Sequence, residues 1–223
     1  MSACPELDEL RRALQERGVR RADLADDPFE QFRRWFDQAR EAGLHEPEAM
    51  VVSSVGAGGL PSSRYVLLKG LDHGFVFFTN FESRKGHELD DRPRAAICFP
   101  WHVLSRQVRV AGTVERVSDA ESDAYFASRP RGSQIGAWAS AQSEVLVDRA
   151  ELEARTARTE VRYAGIEVPR PPHWGGYRVV PSELEVWQGR PDRLHDRFRY
   201  IRIAAGSGAP SAPPAWALDR LNP

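Results

Sequence analysis

The chain has little cysteine: among its 223 residues only Cys4 and Cys98 carry a thiol. Two thiols cannot make a disulfide framework, and no Cys/His cluster has the spacing of a metal site, so no metal is expected. No apolar run approaches the length of a membrane span. Met1 to Asp27 is rich in Arg, Glu and Asp and lacks the apolar segment of a signal peptide. An excess of charge of one sign is also missing. The 31 Lys+Arg and 32 Asp+Glu leave a formal net charge of -1, which argues against a nucleic-acid partner. No internal repeat is present. With 41% hydrophobic and 28% charged residues, the chain is expected to be a soluble cytoplasmic protein. A chain of this length hides roughly 70–75% of its unfolded surface when compact.

The sequence does contain clear element signals. Asp27-Pro28-Phe29-Glu30 reads as an N-cap, a proline at the first helical position and a capping-box Glu. Phe29, Phe32, Phe36 and Ala39 follow at helical spacing, with Gly43 as a stop. Leu7, Leu10 and Leu14 suggest a short amphipathic helix upstream. Residues 1–26 are expected to form a mobile N-terminal arm unless a ligand or partner holds them, and 27–223 a single domain. Strand patterns occupy Met50 to Val55, Ser63 to Lys69, Phe75 to Thr79 and Ala95 to Phe99. The cluster Gly56-Ala57-Gly58-Gly59 reads as a hairpin turn between the first two. It is not a dinucleotide-binding loop, because a strand follows it. Val108, Val110 and Val114 alternate with Gln107, Arg109, Thr113 and Glu115, the pattern of a half-buried antiparallel strand. Ser118 and Asp148 open two further helices, reaching Phe126 and about Tyr163. Strands return at Gly176 to Val180, Leu184 to Trp187, Phe198 to Ile203 and Trp216 to Leu221. Ala204 to Pro214 contains only Ala, Gly, Ser and Pro, the composition of a flexible surface loop. Short strands in series with inserted helices predict an α+β fold built on an antiparallel sheet or barrel.

Four groups of residues could carry chemistry. Ser83 is a good N-cap after a strand, which puts Arg84 and Lys85 in the first turn of a helix. Cations there oppose the helix dipole unless an anion sits among them, so the turn reads either as a phosphate cradle or as a solvated basic turn. Arg64 and Lys69 end an apolar strand whose pleat would send them to opposite faces; taken alone, they read better as protective charges on an edge strand than as a shared ligand site. Arg193, His195 and Arg197 alternate and would share one face of a strand. That is costly without anionic partners, which Asp192 and Asp196, or a phosphate-bearing ligand, would supply. His195 is the candidate for proton handling near neutral pH. Tyr125, Arg129 and Ser133 share a four-residue spacing, but Pro130 interrupts the helix, so spacing alone does not bring them together.

In combination these pieces resemble the pyridoxine/pyridoxamine 5'-phosphate oxidase family. The matching stretches are RYVLLK at 64–69, SRKGHEL at 83–89, FPWH at 99–102, RQVRVAG at 106–112 and SRPRGSQIGAWAS at 128–140. WGGYRV at 174–179 and EVWQGRPDRLHDRFRY at 185–200 complete the ordered set. The resemblance implies an antiparallel split β-barrel with flanking helices, assembled as a homodimer with FMN at each subunit interface. By position, Arg64, Tyr65, Val66, Leu67, Leu68, Lys69, Phe78 and Thr79 would hold FMN, with Arg84 and Lys85 at its phosphate. Gln107, Gln142, Ser143, Trp187 and Arg197 would complete the flavin site, some from the partner subunit. Lys69, Tyr125, Arg129, Ser133, Arg193 and His195 would contact a phosphorylated B6 vitamer, with Arg193 and His195 near the reacting end. The implied activity is oxidation of pyridoxamine or pyridoxine 5'-phosphate to pyridoxal 5'-phosphate by O2, with release of hydrogen peroxide. One departure stands out. Family members commonly carry Arg-x-x-Tyr near the N-terminus, closing over the substrate, whereas Arg11-Arg12-Ala13-Leu14 puts Leu14 in the tyrosine's place. That departure keeps open a split-barrel flavin oxidase acting on a phenazine-like secondary metabolite; a second alternative is a non-catalytic flavin or pyridoxal-phosphate carrier.

Overall fold

The computed structural model describes residues 5–203 and 215–223; the Ala/Gly/Ser/Pro segment 204–214 and Cys4 lie outside the described residues. The order of elements is α1 (Pro5–Arg17), α2 (Pro28–Glu41), β1 (Ala49–Val55), β2 (Pro61–Leu67), β3 (Gly70–Leu71), β4 (Phe75–Asn80) and α3 (Arg84–Asp91). There follow β5 (Arg94–Phe99), β6 (Arg106–Arg116), α4 (Asp119–Ser128), α5 (Arg131–Ala139), α6 (Arg149–Arg162), β7 (Trp174–Gln188), β8 (Asp196–Arg202) and β9 (Trp216–Leu221). The fold is α+β. All nine strands join one antiparallel sheet, in the order β2-β1-β5-β6-β7-β4-β3 with β8 and β9 added on β7.

β7 is the branch point of the sheet. Its first part pairs with β4 from Trp174 to Val179, and its last part pairs with β8 from Glu183 to Gln188. β6 runs beside both parts. The sequence pattern suggests two strands here, Gly176 to Val180 and Leu184 to Trp187, on either side of Pro181. The structure instead keeps one strand and places the break in a bulge: Ala111 faces Glu183, Gly112 faces Pro181, and Ser182 is the extra residue. Gly112 is needed at this point, since a Cβ there would overlap the Val180 carbonyl.

The hydrophobic pattern is realised largely as read. α2 buries Phe29, Phe32, Trp35 and Ala39 against the sheet, and Phe32 lies 5.0 Å from Phe75, 4.8 Å from Phe99 and 5.8 Å from Trp101, ring centre to ring centre. Asp27 caps the helix, but without the expected capping box. Its side chain accepts from Phe29 N at 3.1 Å, and Glu30 turns to Arg34 one turn on. Gly43, at φ +70, ends the helix. The 56–59 turn joins β1 to β2 with Val55 opposite Pro61. A smaller cluster of Phe126, Ile135, Tyr163, Val168 and Trp174 ties α4, α5 and α6 to the start of β7.

The N-terminal residues are in contact with the domain. Leu7 and Leu14 of α1 pack on the core, and Gln15 Nε2 donates to Ser105 Oγ at 2.9 Å. Val19, Leu24 and Ala25 are buried, and the Tyr200 hydroxyl donates to the Ala25 carbonyl at 2.7 Å. The packing therefore continues across the boundary drawn at residue 26, because the turn after α1 carries apolar residues onto β8. No helix among the described residues is long and apolar enough to cross a membrane.

Candidate active site

A cavity of about 820 Å³ opens between β2, β4, the start of α3 and the α4–α5 junction. β2 contributes Arg64, Tyr65, Val66 and Leu67, and β4 contributes Phe78 and Thr79. Lys69 joins them. β2 has already ended at Leu67, and the Lys69 N–H bonds to the Val76 carbonyl at 2.8 Å. The pleat argument that separates Lys69 from Arg64 therefore does not apply, and both line the same cavity. Leu68 does not line it; its side chain packs on the core.

One end of the cavity is the β4–α3 turn. Ser83 caps α3 by accepting from Gly86 N at 3.3 Å, as the sequence pattern indicates. Lys85 folds back from the first turn. Its Nζ donates to Thr79 Oγ1 at 2.9 Å, Gln142 Oε1 at 2.9 Å and Ser83 Oγ at 3.2 Å. Burial, with Arg64 nearby, lowers the Lys85 ammonium to about 8. Ser143, at φ +78, accepts from Arg84 N at 3.1 Å. Glu88 sits behind this group. Burial pushes its carboxyl up, but bonds from Ser54, Ser62, Arg84 and Arg64 outweigh that and hold it at about 2. Arg64, Arg84 and Lys85 against one Glu88 leave an excess of positive charge that matches a phosphate dianion.

The other end is aromatic and cationic. Phe78 stacks on Tyr125 at 4.1 Å and on Trp174 at 5.4 Å. Tyr125 lies on α4, Arg129 at its C-terminal cap, and Ser133 in the first turn of α5. Pro130 does interrupt the helix, but α5 restarts immediately after it, and the junction brings all three side chains to the cavity. Arg129 lies over the Trp174 ring at 4.6 Å. Its Nη1 is buried without a hydrogen-bond partner among the described residues, and burial lowers its pKa. A desolvated guanidinium with a spare donor calls for an anion.

Gln107, Trp187, Arg193, His195 and Arg197 lie elsewhere. Gln107, Trp187 and Arg197 are cross-strand neighbours on β6, β7 and β8. Phe78 pairs with Gly176, and from Gly176 to Trp187 the strand runs roughly 35 Å at ~3.3 Å per residue. Arg197 is bound to Glu185, Nε to Oε1 at 2.9 Å. The alternation of Arg193, His195 and Arg197 on one strand face does not occur. Residues 191–193 form a 3-10 turn with Asp192 at φ +55 and Arg193 at φ +60, and β8 begins only at Asp196.

Glu88, Trp174, Ser62 and Asn80 also belong to this region and are not among the residues expected there. Glu88 has a local signal in its helical spacing from Arg84, and Ser62 in its two-residue spacing from Arg64 on β2; Trp174 meets the cavity through tertiary packing. Leu14 packs on the domain's own core and does not line the cavity. No group of three or more His, Cys, Asp or Glu side chains that could hold a metal occurs among the described residues.

Comparison with known proteins bears on this geometry. The model of the family described as pyridoxamine 5'-phosphate oxidase matches residues 36–163, and that of the pyridoxine 5'-phosphate oxidase C-terminal dimerisation region matches 174–223. The chain belongs to the pyridoxine/pyridoxamine 5'-phosphate oxidase family. Members named pyridoxine/pyridoxamine 5'-phosphate oxidase from Burkholderia orbicola and Bordetella petrii are each 55% identical over 218 residues, 97% of this chain and 99% of theirs. Among solved structures, PhzG from Burkholderia lata, in complex with tetrahydrophenazine-1-carboxylic acid, superposes with a TM-score of 0.82 at 32% identity. That match covers 91% of this chain and 95% of PhzG. A pyridoxamine 5'-phosphate oxidase-related, FMN-binding protein from Nostoc punctiforme shares the family fold at a TM-score of 0.67 and 16% identity, over 88% of this chain and 98% of that one. Gln107 excepted, the residues that lie far from the cavity fall in the part of the chain that matches the family's dimerisation region.

Proposed function

We propose that the chain is an FMN-dependent oxidase that converts pyridoxamine 5'-phosphate and pyridoxine 5'-phosphate to pyridoxal 5'-phosphate. The observation that carries this reading is a single cavity lined by two groups of cationic and hydroxyl side chains, Arg64/Arg84/Lys85 and Lys69/Tyr125/Arg129/Ser133, each suited to an anion. Two phosphate monoesters, one on the flavin and one on the vitamer, match that pair. The relatives at 55% identity carry the corresponding name.

Arg84 and Lys85 would hold the FMN phosphate, with Thr79, Gln142 and Ser143 supplying neutral partners. Arg64 to Leu67 and Phe78 would line the flavin. The chemistry FMN supplies when bound is two-electron oxidation at the substrate C4' carbon, with O2 taking the electrons and leaving as hydrogen peroxide. The alcohol gives the aldehyde directly; the amine consumes one water and releases ammonia. The chain's own part is orientation. Lys69, Arg129, Tyr125 and Ser133 grip the remote phosphate, so binding energy far from C4' is used to position C4'. The Phe78–Tyr125–Trp174 stack keeps water from that wall.

Arg193 and His195 belong near C4' and Gln107, Trp187 and Arg197 at the flavin, and their distance along β7 is resolved by a homodimer. In that assembly each cavity is completed by these residues from the second copy, a reading the dimerisation-region match supports. A phosphorylated substrate is confined by membranes, which supports a cytoplasmic location; neither a membrane nor a nucleic acid enters the reaction.

Anaerobic mixing of the FMN-loaded protein with each phosphorylated vitamer tests the reading. Bleaching of the flavin absorbance, then recovery in air with pyridoxal 5'-phosphate formed, is the expected result. A flavin that stays oxidised with both compounds overturns it. The likeness to PhzG makes a reduced phenazine carboxylate the informative third compound.

A further inference from the structure

The turn between β7 and β8, which carries Arg193 and His195, is held from outside itself. His195 Nδ1 accepts a hydrogen bond from the Arg190 backbone N–H at 3.1 Å, and the ring packs on Trp187 with centroids 4.6 Å apart. The Arg190 side chain in turn reaches Asp196, Nη1 to Oδ2 at 3.4 Å. The same carboxylate oxygen accepts the Val19 N–H at 3.0 Å, and Oδ1 accepts from Arg220 Nη2 at 2.6 Å. Asp196 is 5% exposed. One buried carboxylate thus joins the segment after α1, the β7–β8 turn and β9.

Two further features point to a turn under constraint. Asp192 and Arg193 are consecutive non-glycine residues in the left-handed region, a conformation that persists only where the surroundings over-determine it. Gly18, at φ +65, passes so close that a Cβ there would overlap both the Arg190 guanidinium and Asp196 Oδ2.

The contact at His195 fixes its chemistry. A ring nitrogen that accepts a hydrogen bond carries its lone pair there, so the neutral ring must carry its proton on the other nitrogen. We propose that Asp196 is a positioning residue for His195: by anchoring Arg190 it keeps the Arg190 amide against Nδ1 and so sets the neutral ring as the Nε2–H tautomer, a hydrogen-bond donor toward the substrate. The ring then orients the oxygen or nitrogen on C4' and does not accept a proton from it through Nε2. This inference rests on the placement of His195 in the substrate site under the proposed function.

The test uses the full-length FMN-loaded protein with 15N-labelled histidine rings, the His195 signals being assigned by their loss in His195→Asn. The wild type is expected to show an unprotonated Nδ1 and a protonated Nε2. Asp196→Asn is expected to move the signals toward a mixture of tautomers. It should slow flavin reduction roughly tenfold to a hundredfold, with KM and FMN affinity changed no more than about twofold. A wild-type ring protonated on Nδ1, or an Asp196→Asn spectrum identical to wild type, overturns the proposal. Should Asp196→Asn not fold, Arg190→Met removes only the link to the turn and leaves the Val19 and Arg220 contacts; the same spectral change supports the proposal, and its absence overturns it. Wild-type spectra of the expected kind with no flavin reduction by either vitamer would instead count against the proposed function.

Discussion

Lys85 and Arg64 enter the same cavity from α3 and β2, and the Arg64 guanidinium raises the cost of charging Lys85. Burial is the larger cause of the lowered Lys85 ammonium, and Arg64 adds to it. A phosphate dianion placed between them would reverse both effects. Because Lys85 loses its proton above about 8, the preference for FMN over riboflavin, which lacks the phosphate, should fall as pH rises through that value. FMN binding near pH 8 should also take up protons, since the bound anion restores the charged form. Calorimetry in buffers of different ionisation enthalpy reads that uptake directly, and Lys85→Met should abolish it.

Removing the cradle altogether, by Arg84→Ala with Lys85→Ala, should mainly release FMN. Losing two charge-assisted contacts at ~1.5–3 kcal/mol each weakens affinity by at least about a hundredfold. Fluorescence titration of FMN gives the value, and an affinity within threefold of wild type would refute the cradle.

Glu88 makes a prediction about stability. Its carboxyl is held at about 2, against 4.5 for a free group, so its contribution is complete above about pH 4.5 and is lost as pH falls toward 2. Glu88→Gln should destabilise the fold by on the order of 2 kcal/mol at pH 7. That difference should shrink in urea unfolding experiments near pH 3, where Glu88 is protonated in the unfolded chain while still charged in the native one.

Arg129 separates substrate from cofactor. Arg129→Met should leave FMN affinity unchanged and lower kcat/KM for phosphorylated vitamers by roughly a hundredfold, the cost of a charge-assisted contact to an anion. Steady-state kinetics beside an FMN titration test it; an equal loss in both would place Arg129 at the flavin.

The shared site is open to a complementation test. His195→Asn should slow flavin reduction more than it weakens FMN binding, and the double variant of Arg84 and Lys85 should fail at FMN binding. Mixed one to one and allowed to exchange subunits, they should recover about a quarter of wild-type activity, because half the dimers then contain one intact site. A mixture no more active than its parts would show that each chain builds its site alone.

Much of this was legible in the residues because it depends on short-range rules. The Ser83 cap, the Gly56–Gly59 turn and the alternation along β6 are local, and each appears where the pattern puts it. What the pattern misread depends on contacts distant in sequence. The continuity of β7 past Pro181 requires the close approach of Gly112 from β6. The convergence of Tyr125, Arg129 and Ser133 requires α5 to pack on α6 and the start of β7, and the alternation expected of Arg193, His195 and Arg197 gives way to a left-handed turn at Asp192–Arg193. Glu88 reads as an ordinary helix carboxylate until Ser54, Ser62 and Arg64 are brought to it by the sheet.

The continuity of β7 from Trp174 to Gln188 limits how this chain can change in length. One residue added or removed within it would move Trp187 relative to Trp174 by ~3.3 Å and turn every later side chain to the opposite face. Additions at the tip of the β1–β2 hairpin carry no such penalty. Length variation is therefore expected to collect at that tip and to spare the strand.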